Sequence, residues 1–219
     1  MAENTFTIRG ASIIDGTEKA AEKKDLLIVE GKIAKIGSIL KGEEQGKIFD
    51  GSDLTVTPGF IDMHAHSDLA VISDPQHLAK VTQGVTTEVL GQDGLSYVPS
   101  NPETLQQLRG QLFGWNGDPE GFKWNFNTVG QYLARVDEGA AVNVAYLIPH
   151  GTVRMVVRGN EEGVATDDEL KQMSHLVETG MKEGAFGLSA GLTYVPAIYA
   201  DDREIIELCK IVAKYGGYY

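Results

Sequence analysis

From residue 54 onward the sequence alternates short apolar, β-rich runs with longer helical patterns, and this alternation restricts the fold more than any other feature. The apolar runs lie at 54–61, 84–90, 142–148 and 185–189. A short helical patch at 75–83 follows the first run, and a long, mostly helical stretch at 97–141 follows the second. A helix over 166–182 opens with Thr166 as N-cap and an acid, Glu169, three positions on. Asp201-Asp202 cap a further helix over 203–214, Gly216-Gly217 end it, and Tyr218-Tyr219 read as the start of a fifth strand. Such alternation builds βαβ units and a parallel sheet. Residues 54–219 are therefore expected to form the first four βα units of a (β/α)8 barrel, a fold that takes about 250 residues. On this count the sequence is expected to be truncated at its C-terminus. A complete doubly wound α/β domain is the alternative.

Residues 1–53 have a different pattern. Strands are expected at 5–14, 25–30 and 32–37, with a loop at 17–24 and turns at Asp15-Gly16, Gly31 and Asp50-Gly51-Ser52. Three short strands are marginal alone, so this β-structure should pack on something else. A net charge of −12 argues against nucleic acid or an anionic membrane as partner. The one cysteine, Cys209, leaves no internal disulfide and fits a reducing compartment, the cytoplasm. Met1-Ala2-Glu3-Asn4-Thr5 has neither the basic segment nor the apolar core of a secretory leader. No apolar run approaches the roughly 20 residues of a membrane helix.

The run at 54–61 leads into Asp62-Met63-His64-Ala65-His66. Residues i and i+2 of an extended strand share a face, so His64 and His66 can present two imidazoles to one metal ion. Two solvated histidines on a surface strand are the plain alternative. In a (β/α)8 barrel the chemistry sits at the C-terminal strand ends. Those ends carry His64 and His66, then Asp93, then His150, then Ser189 and, beyond Gly191, Tyr194. Imidazole with carboxylate suits zinc and, less often, manganese or iron. A metal at that mouth would activate water and polarise a carbonyl, with a nearby carboxylate moving the proton. The pattern points to metal-assisted hydrolysis. Trp115 and Trp124, in the long 97–141 connection, are expected as core anchors rather than a substrate wall. His77 and His175 fall in helical patterns and are expected on the solvated surface.

Pro58-Gly59-Phe60-Ile61-Asp62-Met63-His64-Ala65-His66 resembles the first-strand motif of the amidohydrolase superfamily. The segments 84–96 and 184–199, GVTTEVLGQDGLS and GAFGLSAGLTYVPAIY, narrow the resemblance to its D-aminoacylase branch, the N-acyl-D-amino-acid deacylases. It covers nearly the whole chain from residue 5. The resemblance implies a (β/α)8 barrel with a small β-sandwich built from both chain ends, and residues 1–53 would supply part of that sandwich. It implies a Zn2+ centre of one or two divalent ions, with His64 and His66 as paired ligands and Asp62 as an orienting acid. Asp93 stands where the family has a metal-binding cysteine. A carboxylate can take that place, or Asp93 can be polar without touching metal. His150 and Tyr194 match substrate-facing positions; a histidine bonded inside its own loop and a packed tyrosine are the alternatives. Further metal histidines and the general base are expected past Tyr219, so the 219-residue polypeptide alone is expected to be inactive and poorly folded.

The activity so implied is hydrolysis of an N-acyl-D-amino acid to a carboxylate and a D-amino acid. A cyclic-amide hydrolase acting on hydantoins or dihydroorotate is a second reading. A non-catalytic scaffold is a third, and Asp93 is the feature that favours it. The substrate is a small molecule in the first two readings.

Overall fold

The structure, a computed structural model, describes residues 4–219. The first three residues of the segment read for a secretory leader therefore lie outside it. The chain divides into two compact units, Met1–Gly59 and Phe60–Tyr219.

The first unit is a single five-stranded sheet. Its strands are β1 (Phe6–Ile13), β2 (Glu22–Val29), β3 (Lys32–Gly37), β4 (Lys47–Asp50) and β5 (Thr55–Val56). β3, β2 and β1 form an antiparallel meander, while β4 and β5 lie parallel to β1. Three of these strands match the sequence expectation. β4 was hidden because it is a short run that ends in the strong turn signal Asp50-Gly51-Ser52, whereas β5 falls inside the run expected at 54–61. β2 begins at Glu22, inside the segment expected as a loop, since pairing with β1 rather than apolar pattern extends it. Ala11, Ile13 and Leu26 are its small core. Asp25 ties it together, accepting hydrogen bonds from Gly10 N–H at 2.8 Å, Ile39 N–H at 3.0 Å and the Arg9 guanidinium at 2.7 Å. Gly10, at φ +65°, sits in the register shift between Ile8 and Ala11, a bulge that turns its N–H toward Asp25.

The second unit is a parallel half-barrel. Strands β6 (Phe60–Asp62), β7 (Val85–Leu90), β8 (Asn143–Pro149) and β9 (Gly187–Ser189) are parallel neighbours in chain order. Helices α1 (Ala70–Ser73) and α2 (Leu78–Val81) lead from β6 to β7, and α3 (Pro102–Gln111), α4 (Phe113–Asn116) and α5 (Val129–Asp137) lead to β8. Helices α6 (His150–Arg158) and α7 (Asp167–Lys182) lead to β9, and α8 (Asp202–Lys214) follows it. Tyr218 then bridges Gly187 in parallel, as the fifth-strand expectation requires. The expected 54–61 strand is two pieces, β5 and β6. Thr57-Pro58-Gly59 separates them, because proline cannot donate to a ladder and biases the residue before it. Helix α6 was not expected at all.

Side chains at strand ends and on the helices fill one core. Leu90, Tyr146, Ile148 and Leu188 come from the strands, and Leu108, Tyr132, Met173, Val177 and Leu208 from the helices. Local chemistry starts four of the five helices of nine or more residues, α6 being the exception. Asn101 caps α3 through Thr104 N–H with Pro102 behind it, Thr128 caps α5, Thr166 and Glu169 make a full capping box on α7, and Asp201 caps α8. Among the described residues no helix is long and apolar enough to cross a membrane.

Candidate metal centre

β6 stops at Asp62 and the chain bends at Met63 and His64. Ala65 N–H still reaches Val89 O at 3.3 Å, and Ala65 is buried. His64 and His66, on either side of buried Ala65, turn together onto the more open side. Their rings stand 5.2 Å apart. Asp62 holds the start of this segment by accepting from His64 N–H at 3.2 Å.

The third side chain comes from a tight turn after β7. Gly91, Asp93 and Gly94 all adopt left-handed backbone, at φ +76°, +55° and +70°. Aspartate is among the few non-glycine residues that tolerate this region, and strain of this kind gathers at functional sites. The turn brings Asp93 Oδ2 to 3.2 Å from His66 Nε2 and 3.5 Å from His64 Nε2. Among the described residues this is the one group of three whose ligand atoms all lie within 4.8 Å of one another.

Buried neighbours brace the turn. Asp68 Oδ1 accepts from Gly91 N–H at 2.8 Å and from Ser96 Oγ at 2.7 Å, and so ties the histidine segment to both ends of the Asp93 turn. Complete burial pushes the Asp68 carboxyl up despite these two bonds. Gln92 donates to Met63 O at 2.9 Å and Val89 O at 3.1 Å. Ser189 donates to Gly91 O and accepts from Gly94 N–H at 3.1 Å, so the polar group at the end of β9 is engaged with the turn. A Cβ on Gly91 would fall on the Leu147 carbonyl oxygen, and one on Gly191 would fall on the Asp93 carbonyl oxygen. Only glycine lets these backbones approach.

The Trp115 ring packs on His66 with centroids 4.3 Å apart and is half exposed, so Trp115 is not the core anchor expected of it. Trp124 does pack against the core. A cavity of about 350 Å³ opens beside the centre, lined by Met63, His64, Gln92, Asp93, Leu188 and Tyr219 among others.

His150 does not join this group. As the first residue of α6 it is fully buried, with Nε2 2.6 Å from Glu204 Oε1 on α8, and Arg154 completes the pair from the other carboxylate oxygen. Burial opposes charge on Glu204, but His150 and Arg154 outweigh it and hold the carboxyl below the ordinary range. A buried contact with Glu204 takes up the ring that was expected to face substrate. Tyr194 is exposed, in the turn after β9, with its N–H on Gly191 O at 3.1 Å. His175 is exposed as expected; His77 is not, being buried against Glu88 at 2.8 Å. Lys80, Glu88 and Gln92 went unread. Glu88 alone left a signal, as an acid inside the apolar run 84–90.

Two imidazole Nε2 atoms and a carboxylate oxygen converging on one point form a donor set suited to a borderline divalent cation. The comparisons agree with that chemistry. The model of the amidohydrolase family matches residues 47–212. An N-acyl-D-aspartate deacylase of Alcaligenes xylosoxydans xylosoxydans is 37% identical over 210 residues, which is 95% of this chain and 41% of that protein. A D-aminoacylase described with a binuclear metal center superposes with a TM-score of 0.82 at 31% identity, over 98% of this chain and 44% of that one. An N-acyl-D-glutamate deacylase from Bordetella bronchiseptica, complexed with zinc and a phosphonate inhibitor, has a TM-score of 0.82 at 31% identity, over 96% and 43%. The chain thus spans somewhat over two fifths of the length of these relatives.

Proposed function

This chain belongs to the amidohydrolase family, and from that premise we propose that it serves the metal-dependent hydrolysis of N-acyl-D-amino acids to a carboxylate and a D-amino acid. The observation that carries this reading is the convergence of His64, His66 and Asp93 from the ends of two adjacent parallel strands. We assign these three as ligands of Zn2+, in a centre of one or two divalent ions. Such an ion, when bound, supplies Lewis-acid activation of water and of an amide carbonyl.

The chain's own residues do the rest of the local work. Asp68 and Gln92 hold the Asp93 turn against the histidine segment, so the three donors need little rearrangement to accept a cation. Trp115 covers one face of His66 and keeps water from that side. Tyr194 stands in the exposed turn after β9 as the residue for substrate contact. The buried His150 pair supports α6 against α8 behind the strand ends. In this reading β1–β5 belong to a small β-sandwich and β6–β9 to a (β/α)8 barrel. The single cysteine and acidic surface suit a cytoplasmic protein acting on small molecules.

The test uses the full-length native protein with a panel of N-acetyl-D-amino acids, their L-enantiomers, a hydantoin and dihydroorotate. Hydrolysis of the D-series, lost on chelation and restored by zinc, is expected. Turnover confined to the cyclic amides, or undiminished after chelation, overturns the assignment.

A further inference from the structure

Parallel pairing of β6 with β7 sets Asp62 directly beside Glu88. Two carboxylates at adjacent ladder positions repel, and Glu88 is completely buried, so a cation must sit between them. Lys80 of α2 is that cation. Its Nζ lies 2.6 Å from Asp62 Oδ2 and 2.7 Å from Glu88 Oε1. Glu88 also accepts from Ser67 Oγ at 2.9 Å on each oxygen and lies 2.8 Å from His77 Nε2. His77 takes left-handed backbone at φ +45° where its ring meets Glu88. An unfavourable conformation kept at a buried polar contact marks a network that its surroundings over-determine.

The two acids grip opposite ends of one short segment. Asp62 holds His64 through its backbone N–H, and Glu88 holds Ser67, the residue after His66. We propose that Lys80 is a positioning residue for the metal centre, locking Asp62 and Glu88 into a clamp that fixes the His64–Ser67 segment in its ligand-presenting geometry. The inference rests on the metal-centre reading above and extends it to residues that touch no ligand atom. Loss of the clamp frees the two histidines to rotate apart, so the centre binds metal less tightly while the barrel core persists.

The experiment measures Zn2+ and Co2+ affinity, and the Co2+ absorption spectrum, of the full-length native protein and its variants, with the metal-free thermal midpoint alongside. Lys80→Met is expected to raise both dissociation constants about 10- to 100-fold, the usual effect of losing a support behind the ligands, and to alter the Co2+ spectrum. Lys80→Arg, which can bridge both acids, recovers most of the affinity. Ser67→Ala removes one arm of the clamp and weakens binding in the same direction, which keeps the test decisive even where Lys80→Met does not fold. Lys171→Met, at an exposed pair with Asp168, leaves the affinity unchanged. Variants that lower the thermal midpoint but keep wild-type affinity and spectrum overturn the clamp and leave the metal centre standing. A wild-type protein that binds neither ion overturns the metal centre itself.

Discussion

At the residue scale, pairing and strain divide the work. The i, i+2 spacing of His64 and His66 already implied a shared face, and the buried Ala65 between them bears that geometry out. Asp93 was legible as a polar group at a strand end, but its left-handed backbone was not, because the turn that imposes it depends on contacts with Leu147 and Ser189 far along the chain. Asp93→Asn separates charge from conformation, since asparagine also tolerates this backbone. The variant should fold normally yet lose metal affinity by 10-fold or more; calorimetric titration with Zn2+ measures it, and wild-type affinity would remove Asp93 from the ligand set. Asp25 offers a pH test. Burial raises its carboxyl, but the N–H groups of Ile39 and Gly10 and the Arg9 guanidinium outweigh that and hold it below the ordinary range. Its folded pKa lies under its unfolded one, so the stabilisation is complete above about pH 4 and fades as pH falls through the lowered value. NMR-monitored acid unfolding of β1–β5 should show this loss, and Asp25→Asn should remove most of that acid dependence.

At the element scale, helices with their own start signals were readable and those without were not. The capping box marks α7 in sequence as it does in space. Thr166→Ala should therefore destabilise the second unit by about 1 kcal/mol, visible as a lowered thermal midpoint; no change would mean that packing alone holds the helix start. α6 shows the opposite case. It begins directly from β8 at Pro149, has no capping side chain, and carries Gly151, Thr152 and three valines that disfavour helix. Burial of His150 through Met155 and the Arg154–Glu204 pair overrule those preferences. The same logic split the 54–61 run, where a proline outweighed continuous apolar character.

At the scale of the whole molecule, burial differs between the two units. β8 lies between β7 and β9 with Tyr146, Leu147 and Ile148 all buried, whereas every residue of β4 and nearly every residue of β3 is exposed. Native-state hydrogen exchange should find the slowest amides in β8 and the fastest strand amides in β3 and β4; fast exchange in β8 would contradict this core. Sequence alone determined the alternation of β and α, the parallel sheet and the paired histidines, because hydrophobic period and residue spacing are local properties that survive in any window of a dozen residues. Tertiary structure alone decided that Asp93 meets those histidines, that His150 turns inward to Glu204, and that Lys80 joins Asp62 to Glu88. Each of these depends on the register between strands or the packing of helices well separated in the chain, and proximity of that kind leaves no periodic trace in the order of residues.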